Sequence, residues 1–341
     1  MDNLSHGLFG ASIIHAIWGK KYGHKAWVFA LLASSIPDLD VVARFIPGVT
    51  DLQASFFHRT TLHSLLFALV VSPIVGYIAM RSYKTGKTSR KDWTLITLVC
   101  ILSHIFLDWC TTYGIWFLRP FSHHGFEGNI INVVDFFFTI PLLGIVLSYF
   151  LLPLKKSVAG ARRYVWVVFA ACYLLGMTYV QHRALEAVER DMKAANVQYE
   201  SIFLTPLFFQ PFLWHGIVSL PDGNYKLTYM SARDKGPRTY ENVAWNHACA
   251  SVLRRDAVAS SILDRTSGLY TCIQEGSTYK VVDLRFGRTI GRDRSSIQPA
   301  TFAYLVDPTV SPYRITQTHQ HISGSLTDLR SKHWERVWWN R

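Results

Sequence analysis

The chain has 341 residues and a mass of 38.9 kDa, enough for two domains of ordinary size. Half of it is hydrophobic, 17% is charged and 14% is aromatic, which excludes a disordered chain, a collagen-like repeat and a coiled coil. The net charge of +12 suits nucleic acid or an anionic membrane surface, so the placement of the charges must decide between them. Five cysteines are too few for a disulfide scaffold or a Cys-rich zinc module, whereas 14 histidines hint at metal or proton chemistry.

In chain order, residues 4–19 form a short apolar stretch, and residues 26–46 a longer one interrupted by Ser34-Ser35-Ile36-Pro37-Asp38. Residues 63–80, 93–109, 134–154 and 164–181 are each long and nearly uncharged. A helix needs about 20 apolar residues to cross the hydrocarbon core. The last four segments are therefore predicted to span, and the first two to be spans or broken, half-buried helices. Residues 4–18 lack a basic leading region and a small-residue cleavage site, which predicts a retained helix and not a signal peptide.

Lys20, Lys21 and Lys25, then Arg81, Lys84, Lys87, Arg90 and Lys91, then Lys155, Lys156, Arg162 and Arg163 fall in one set of loops. The alternate loops hold only Arg59 and Arg119, with Arg44 near a helix end. Because positive loops stay in the cytoplasm, six spans place both the N-terminus and everything after about residue 181 outside. The basic excess is then largely topological, and a nucleic-acid partner loses its main support.

Beyond residue 182 the composition changes. Residues 183–200 read as a charged juxtamembrane helix, and residues 202–214, broken by Pro206 and Pro211, as an apolar interfacial loop. Alternating runs at 225–230 and 279–286 flank a helix-like stretch at 241–263. The expected organisation is a mainly α transmembrane bundle of about six helices over residues 1–182, followed by a small α+β periplasmic domain over 183–341. Cys249 and Cys272 both fall in that domain, where an oxidising compartment permits a disulfide. Cys100, Cys110 and Cys172 read as helix-packing residues.

Of the eight acidic residues before residue 182, only Asp92 falls on the cytoplasmic side. Several of the others come with histidines. His104 and Asp108 are spaced i, i+4, one turn apart on one helix face, as a helix offers two ligands to one metal. Solvated residues at headgroup level are the plainer alternative. His58 and His63 flank a loop-to-helix junction, with Arg59 between them able to hold an anionic group by two hydrogen bonds. A helix cap with incidental histidines would look the same. Asp38 and Asp40 follow the helix-breaking Pro37, and two carboxylates two residues apart repel unless a cation sits beside them. A kinked helix end with solvated aspartates is the alternative there. His6 lies level with these groups at the start of the first helix.

Four separate segments thus bring His6, Asp38, Asp40, His58, His63, His104 and Asp108 to one face of the membrane. That coincidence favours a metal site over four independent accidents. Imidazole and carboxylate without thiolate suit Zn best, with Mn, Fe or Mg as alternatives. Seven candidate ligands leave room for one ion or two.

The order D-N-x-x-H-G, P-D-x-D, H-R-x-x-x-H-S and S-H-x-x-x-D-x-x-T-T-Y-G resembles the bacterial inner-membrane metal-dependent hydrolase family labelled YdjM-like. Pro120-Phe121-Ser122, Asp135 and Asp283-Leu284-Arg285-Phe286-Gly287 are similar to its pattern too. The likeness is dense only in residues 1–135, and a fainter one points to zinc-dependent phospholipase C. The resemblance implies an inner-membrane hydrolase and names no substrate. His123-His124-Gly125 has no counterpart in the pattern; these histidines read as loop residues or substrate contacts.

His15 reads as a buried, hydrogen-bonded histidine, and His182, His215, His247, His319, His321 and His333 as scattered residues without acidic partners. No Gly-rich phosphate loop, G-x-S-x-G elbow or H-E-x-x-H motif is present, which argues against an NTPase, a serine hydrolase or a common zinc protease. The leading expectation is an integral-membrane hydrolase in which a metal activates water against an ester or phosphoester. Asp38 or Asp40 would be the general base, Arg59 the anion holder, and a lipid or lipid-linked molecule the substrate. A transporter or proton relay using the same groups, and a scaffold with a structural metal, are the competing expectations.

Overall fold

Asp2 starts the first helix by accepting a hydrogen bond from the Ser5 amide, and Gly23, at φ 61°, ends it. The fold is that of a computed structural model, which describes residues 1–83, 89–151, 156–207, 210–231, 234, 238–287 and 302–319. Lys84, Lys87, Lys155, His321, His333 and the end of the 134–154 segment lie outside the described residues.

Helix α1 runs Asn3–Tyr22 and α2 His24–Ala33. Pro37 then opens a 3-10 segment, Pro37–Phe45, bent by 46° from α2. Thr50 and Gln53 form a capping box for α3, Asp51–Phe57. A short 3-10 turn, Thr61–His63, leads into α4, Leu65–Ser82, capped by Ser64. Helices α5, Arg90–Trp109, α6, Phe136–Leu151, and α7, Lys156–Ala194, follow. Within α4, α5 and α7 there are three stretches long and apolar enough to cross a membrane, or four crossings if α2 and the bent 3-10 segment count as one. Among the described residues this is fewer than the six expected.

Two expected boundaries move. Residues 164–181 and 183–194 form one continuous α7, because residues 178–194 contain neither glycine nor proline to stop the helix. Cys172, expected to pack between helices, is exposed, whereas Cys100 and Cys110 are buried.

Small residues draw the helices together. A Cβ on Gly76 would lie 2.6 Å from the Thr94 backbone nitrogen, so only glycine lets α4 approach α5 this closely. Ala11, Ala26, Ala30, Trp93 and Cys100 fill the core between α1, α2 and α5. At one end Asp92 accepts from Lys21 Nζ at 2.5 Å and from the Tyr22 hydroxyl at 2.8 Å. At the other, the Met1 amine and His6 lie against Asp108. Helices α1 and α5 are therefore antiparallel, and the basic loop ends are separated from the histidines by the length of a helix.

The chain divides into two compact units, Met1–Met177 and Thr178–Arg341. The second holds two antiparallel four-stranded meanders. The first comprises β1 Ser201–Leu207, β2 Gln210–Ser219, β3 Tyr225–Ser231 and β4 Glu241–Val243. The second comprises β5 Tyr270–Glu275, β6 Thr278–Asp283, β7 Phe302–Asp307 and β8 Arg314–His319. Ile217 and Leu227 from the first meander share a core with Leu269, Val282 and Leu284.

The apolar interfacial loop expected at 202–214 is instead the β1–β2 hairpin. Residues 204–206 and 213–218 are buried in succession, so both faces of the hairpin are covered, and Pro206 is tolerated because it lies on the edge strand beside a register shift. The helix-like stretch at 241–263 resolves into β4 and two short helices, α8 His247–Leu253 and α9 Ala257–Arg265. Asn246 and Asp256 cap these helices and so set the break between them. Cys249 in α8 and Cys272 in β5 form a disulfide with a Cα–Cα distance of 6.3 Å.

Candidate metal centre

Three breaks in helical order build the site. Pro37 turns the chain so that Asp38 and Asp40 follow in the first turn of the 3-10 segment. Arg59, at φ 61°, adopts a left-handed backbone uncommon for a non-glycine residue, and the chain then enters the Thr61–His63 turn. The last two turns of α5 supply His104 and Asp108 from one face.

Asp38, His63, His104 and Asp108 each offer one ligand atom, and these four atoms lie within 4.8 Å of one another. His63 Nε2 lies 3.2 Å from His104 Nε2, 3.4 Å from Asp38 Oδ1 and 3.4 Å from Asp108 Oδ2. His104 Nε2 lies 3.5 Å from each of the same two oxygens. A tetrahedral ion with bonds of about 2.0–2.1 Å separates its ligands by about 3.3–3.4 Å. The side chains of His63, His104 and Asp108 are 1% exposed or less, while Asp38 is 12% exposed and forms the accessible side of the cluster.

The surrounding groups orient these ligands. His104 Nδ1 donates to the Ser34 carbonyl at 2.6 Å, which leaves the Nε2 lone pair facing the cluster. His63 Nδ1 lies 3.2 Å from Asp40 Oδ2 without hydrogen-bond geometry, on the side where a carboxylate supports a metal-binding imidazole. Asp108 Oδ1 accepts from Arg59 Nη2 at 2.8 Å and from the Met1 amine, and Oδ2 is buried without a hydrogen-bond partner. A buried carboxylate oxygen left unpaired beside two imidazole nitrogens is a donor set that fits a cation.

The remaining sequence candidates take other places. Asp40 forms a second group with His58 and His63, in which its Oδ1 meets His58 Nδ1 at 2.8 Å. His58 is 41% exposed there. His6 is fully buried and stacks on His104 with ring centroids 3.6 Å apart, and neither of its ring nitrogens has a hydrogen-bond partner. Its Nε2 is 3.3 Å from Asp108 Oδ1, so it flanks the four-atom cluster without joining it. Arg59, expected to hold an anionic substrate, is 6% exposed and bound to Asp108 and, at 2.8 Å, to the Thr111 hydroxyl. It is instead paired inside the protein, with its charge set against the buried Asp108 carboxylate.

Motif residues elsewhere are structural. Asp135 accepts from the Phe137 and Phe138 amides and from the Tyr173 hydroxyl at 2.7 Å. In the sheet unit, Asp283 takes both Nε and Nη2 of Arg285, and both side chains are buried. His15 stacks on Trp166, and His215 donates to the Leu284 carbonyl at 2.9 Å. The Ser34 carbonyl and the Met1 amine carried no signal in the sequence, since main-chain groups acquire a role only through the fold.

A family model described as YdjM inner membrane protein matches residues 1–185, which include every residue of the cluster. The inner membrane protein YbcI of Escherichia coli (strain K12) is 31% identical over 157 residues, 45% of this chain and 82% of that protein. The uncharacterized protein YfhP of Bacillus subtilis (strain 168) is 25% identical over 186 residues, 54% of this chain and 52% of that protein. No solved structure gives a significant match. The fainter likeness to zinc-dependent phospholipase C has no counterpart in these matches. With more than half of its length matched, this chain belongs to the YdjM inner membrane protein family.

Proposed function

We propose that the chain is a metal-dependent hydrolase of the inner membrane, acting on an ester or phosphoester of a lipid or lipid-linked substrate at the outer face. The observation that carries this reading is the set of ligand separations, 3.2–3.5 Å, around an unpaired carboxylate oxygen. Those separations suit a tetrahedral zinc ion better than an octahedral magnesium ion, whose adjacent ligands lie about 2.9 Å apart. A divalent ion bound there supplies a Lewis acid that polarises the scissile ester and acidifies water.

The chain's own residues divide the remaining work. His63, His104 and Asp108, all buried, would hold the ion. Asp38, on the accessible side, completes the ligand set or takes the proton of the attacking water on a carboxylate oxygen. Hydrolysis joins the water oxygen to the acyl carbon or phosphorus and breaks the bond to the alcohol, which leaves with a proton. Asp40 and the Ser34 carbonyl keep the two imidazoles turned toward the ion. The outward placement of this end and of the sheet unit is supported by the basic loops opposite and by the Cys249–Cys272 disulfide, which suits an oxidising compartment.

A second reading, a scaffold with a structural metal, is favoured by the fact that four protein ligands can close a tetrahedral site. Elemental analysis of the detergent-purified chain beside a His104→Ala/Asp108→Ala variant separates the readings when combined with ester and phosphodiester assays. The hydrolase predicts about one zinc per chain and hydrolysis, both lost in the variant. Bound zinc without hydrolysis across lipid esters and phosphodiesters would establish the scaffold, and a metal-free, metal-replete wild type would sink both.

A further inference from the structure

The loop between α5 and α6 carries a second set of polar groups that the metal cluster does not use. It lies at the metal end of the helical unit, because it leaves α5 directly after Asp108. Ile115 and Phe126 exchange backbone hydrogen bonds at 2.9 and 3.0 Å and close residues 116–125 into a hairpin-like tip. The tip is fastened to the site's own segments, since the Trp116 amide donates to the Arg59 carbonyl at 3.1 Å and the Leu65 amide to the Phe117 carbonyl at 2.9 Å.

On that tip Arg119 Nη2 lies 3.0 Å from His123 Nδ1. Arginine has no acceptor, so the imidazole must accept there and carry its proton on Nε2, as a free donor type. The guanidinium sits over the Trp116 ring, 5.0 Å from its centroid. The buried arginines Arg59 and Arg285 each meet a carboxylate. Among the described residues Arg119 meets none. An arginine without a carboxylate beside it, next to an exposed imidazole, is a recognition set for a phosphate. Beside it Phe121 is 85% exposed and Leu118 38%, an apolar pair that water would not retain and acyl chains would cover.

We infer that the 116–126 tip seats the phosphate of an anionic glycerophospholipid on Arg119 and His123, with Phe121 among the acyl chains, and so presents that lipid to the metal centre. Naming this lipid as substrate rests on the hydrolase reading; its binding does not.

The test uses the full chain in nanodiscs containing phosphatidylglycerol and diacylglycerol, with retained lipid counted by native mass spectrometry and hydrolysis of each lipid followed in parallel. Arg119→Gln should lower retained phosphatidylglycerol about tenfold, with diacylglycerol retention and metal content unchanged. The same variant should raise KM for phosphatidylglycerol about tenfold and leave kcat in place, because seating is lost and the chemistry is not. Arg119→Lys, which keeps the charge but loses the fork, should fall between. Equal retention of the two lipids by the wild type overturns the inference, as does retention that survives Arg119→Gln with metal content intact. Release of phosphatidylglycerol by stoichiometric inorganic phosphate overturns the lipid in favour of a free phosphate ligand. Selective, Arg119-dependent retention without hydrolysis sustains the binding site and removes the hydrolase reading alone.

Discussion

In the sheet unit, buried and half-buried ions meet their opposites. Arg285 forks onto Asp283, and Arg238 reaches Asp191 at 2.9 Å through Nη1, leaving its buried Nε unpaired, beside the Tyr240 hydroxyl, which donates to the same carboxylate. Burial and the Asp191 carboxylate both raise the Tyr240 pKa, so it stays a donor. At the metal end of the helical unit the polar groups converge and do not close. Asp108 Oδ2 and both nitrogens of His6 are buried without hydrogen bonds, and three carboxylates gather around His63. A polar network that satisfies itself stabilises a fold, whereas one that leaves lone pairs aimed at a common point is shaped for something it must bind. The difference separates Asp283 and Arg285 from Asp108 and His104, although all four belong to motifs that look alike in the sequence.

The largest expected effect tests the closed side of this contrast. Arg285→Ala leaves Asp283 as an uncompensated buried charge and should destabilise the sheet unit by about 3–5 kcal/mol, with bound metal unchanged. Hydrogen-exchange protection of the β5 and β6 peptides reads the first, and elemental analysis the second. A loss of metal in this variant would mean that the two networks are coupled and the contrast is false.

A smaller effect sharpens the open side. Asp40→Asn keeps the size of the side chain but weakens the acceptor behind His63 Nδ1, and should lower metal affinity by about 10–100-fold. Competition with a chelator of known affinity measures it. An unchanged affinity would remove Asp40 from the support of the site and leave it a partner of His58 alone. The smallest effect belongs to Asp256, which accepts from the Val258 and Ala259 amides at 2.9 Å and caps α9. Asp256→Ala should cost about 1 kcal/mol, seen as faster exchange in α9 and nowhere in the helical unit.

The candidate ligands were legible because each segment carried its own mark: Pro37 before Asp38 and Asp40, the i, i+4 pair His104 and Asp108, and the junction holding His58 and His63. What spacing could not give was rank. Seven residues on one membrane face looked equivalent, and the structure sets four at the centre, Asp40 behind His63, His58 toward solvent and His6 stacked against His104. The β1–β2 hairpin was misread because apolar residues interrupted by Pro206 and Pro211 suit an interfacial loop as well as an edge of a sheet, and only strand partners distinguish them. The length of α7 was misread for the opposite reason, since a change from apolar to charged surface marks where the environment changes and not where a helix stops.

From the sequence alone followed a mainly helical first half with membrane-crossing stretches, though not their number, the sheet-containing second half, the disulfide-capable pair Cys249 and Cys272, and the gathering of the histidines at one end of the bundle. These depend on period, composition and charge placement, which act over a few residues at a time. The tertiary structure alone decided which lone pairs meet, that Arg59 neutralises Asp108 instead of facing a substrate, and that Arg119 is left without a carboxylate. Such outcomes depend on distances between groups up to a hundred residues apart, and a chain acquires those only when its helices pack.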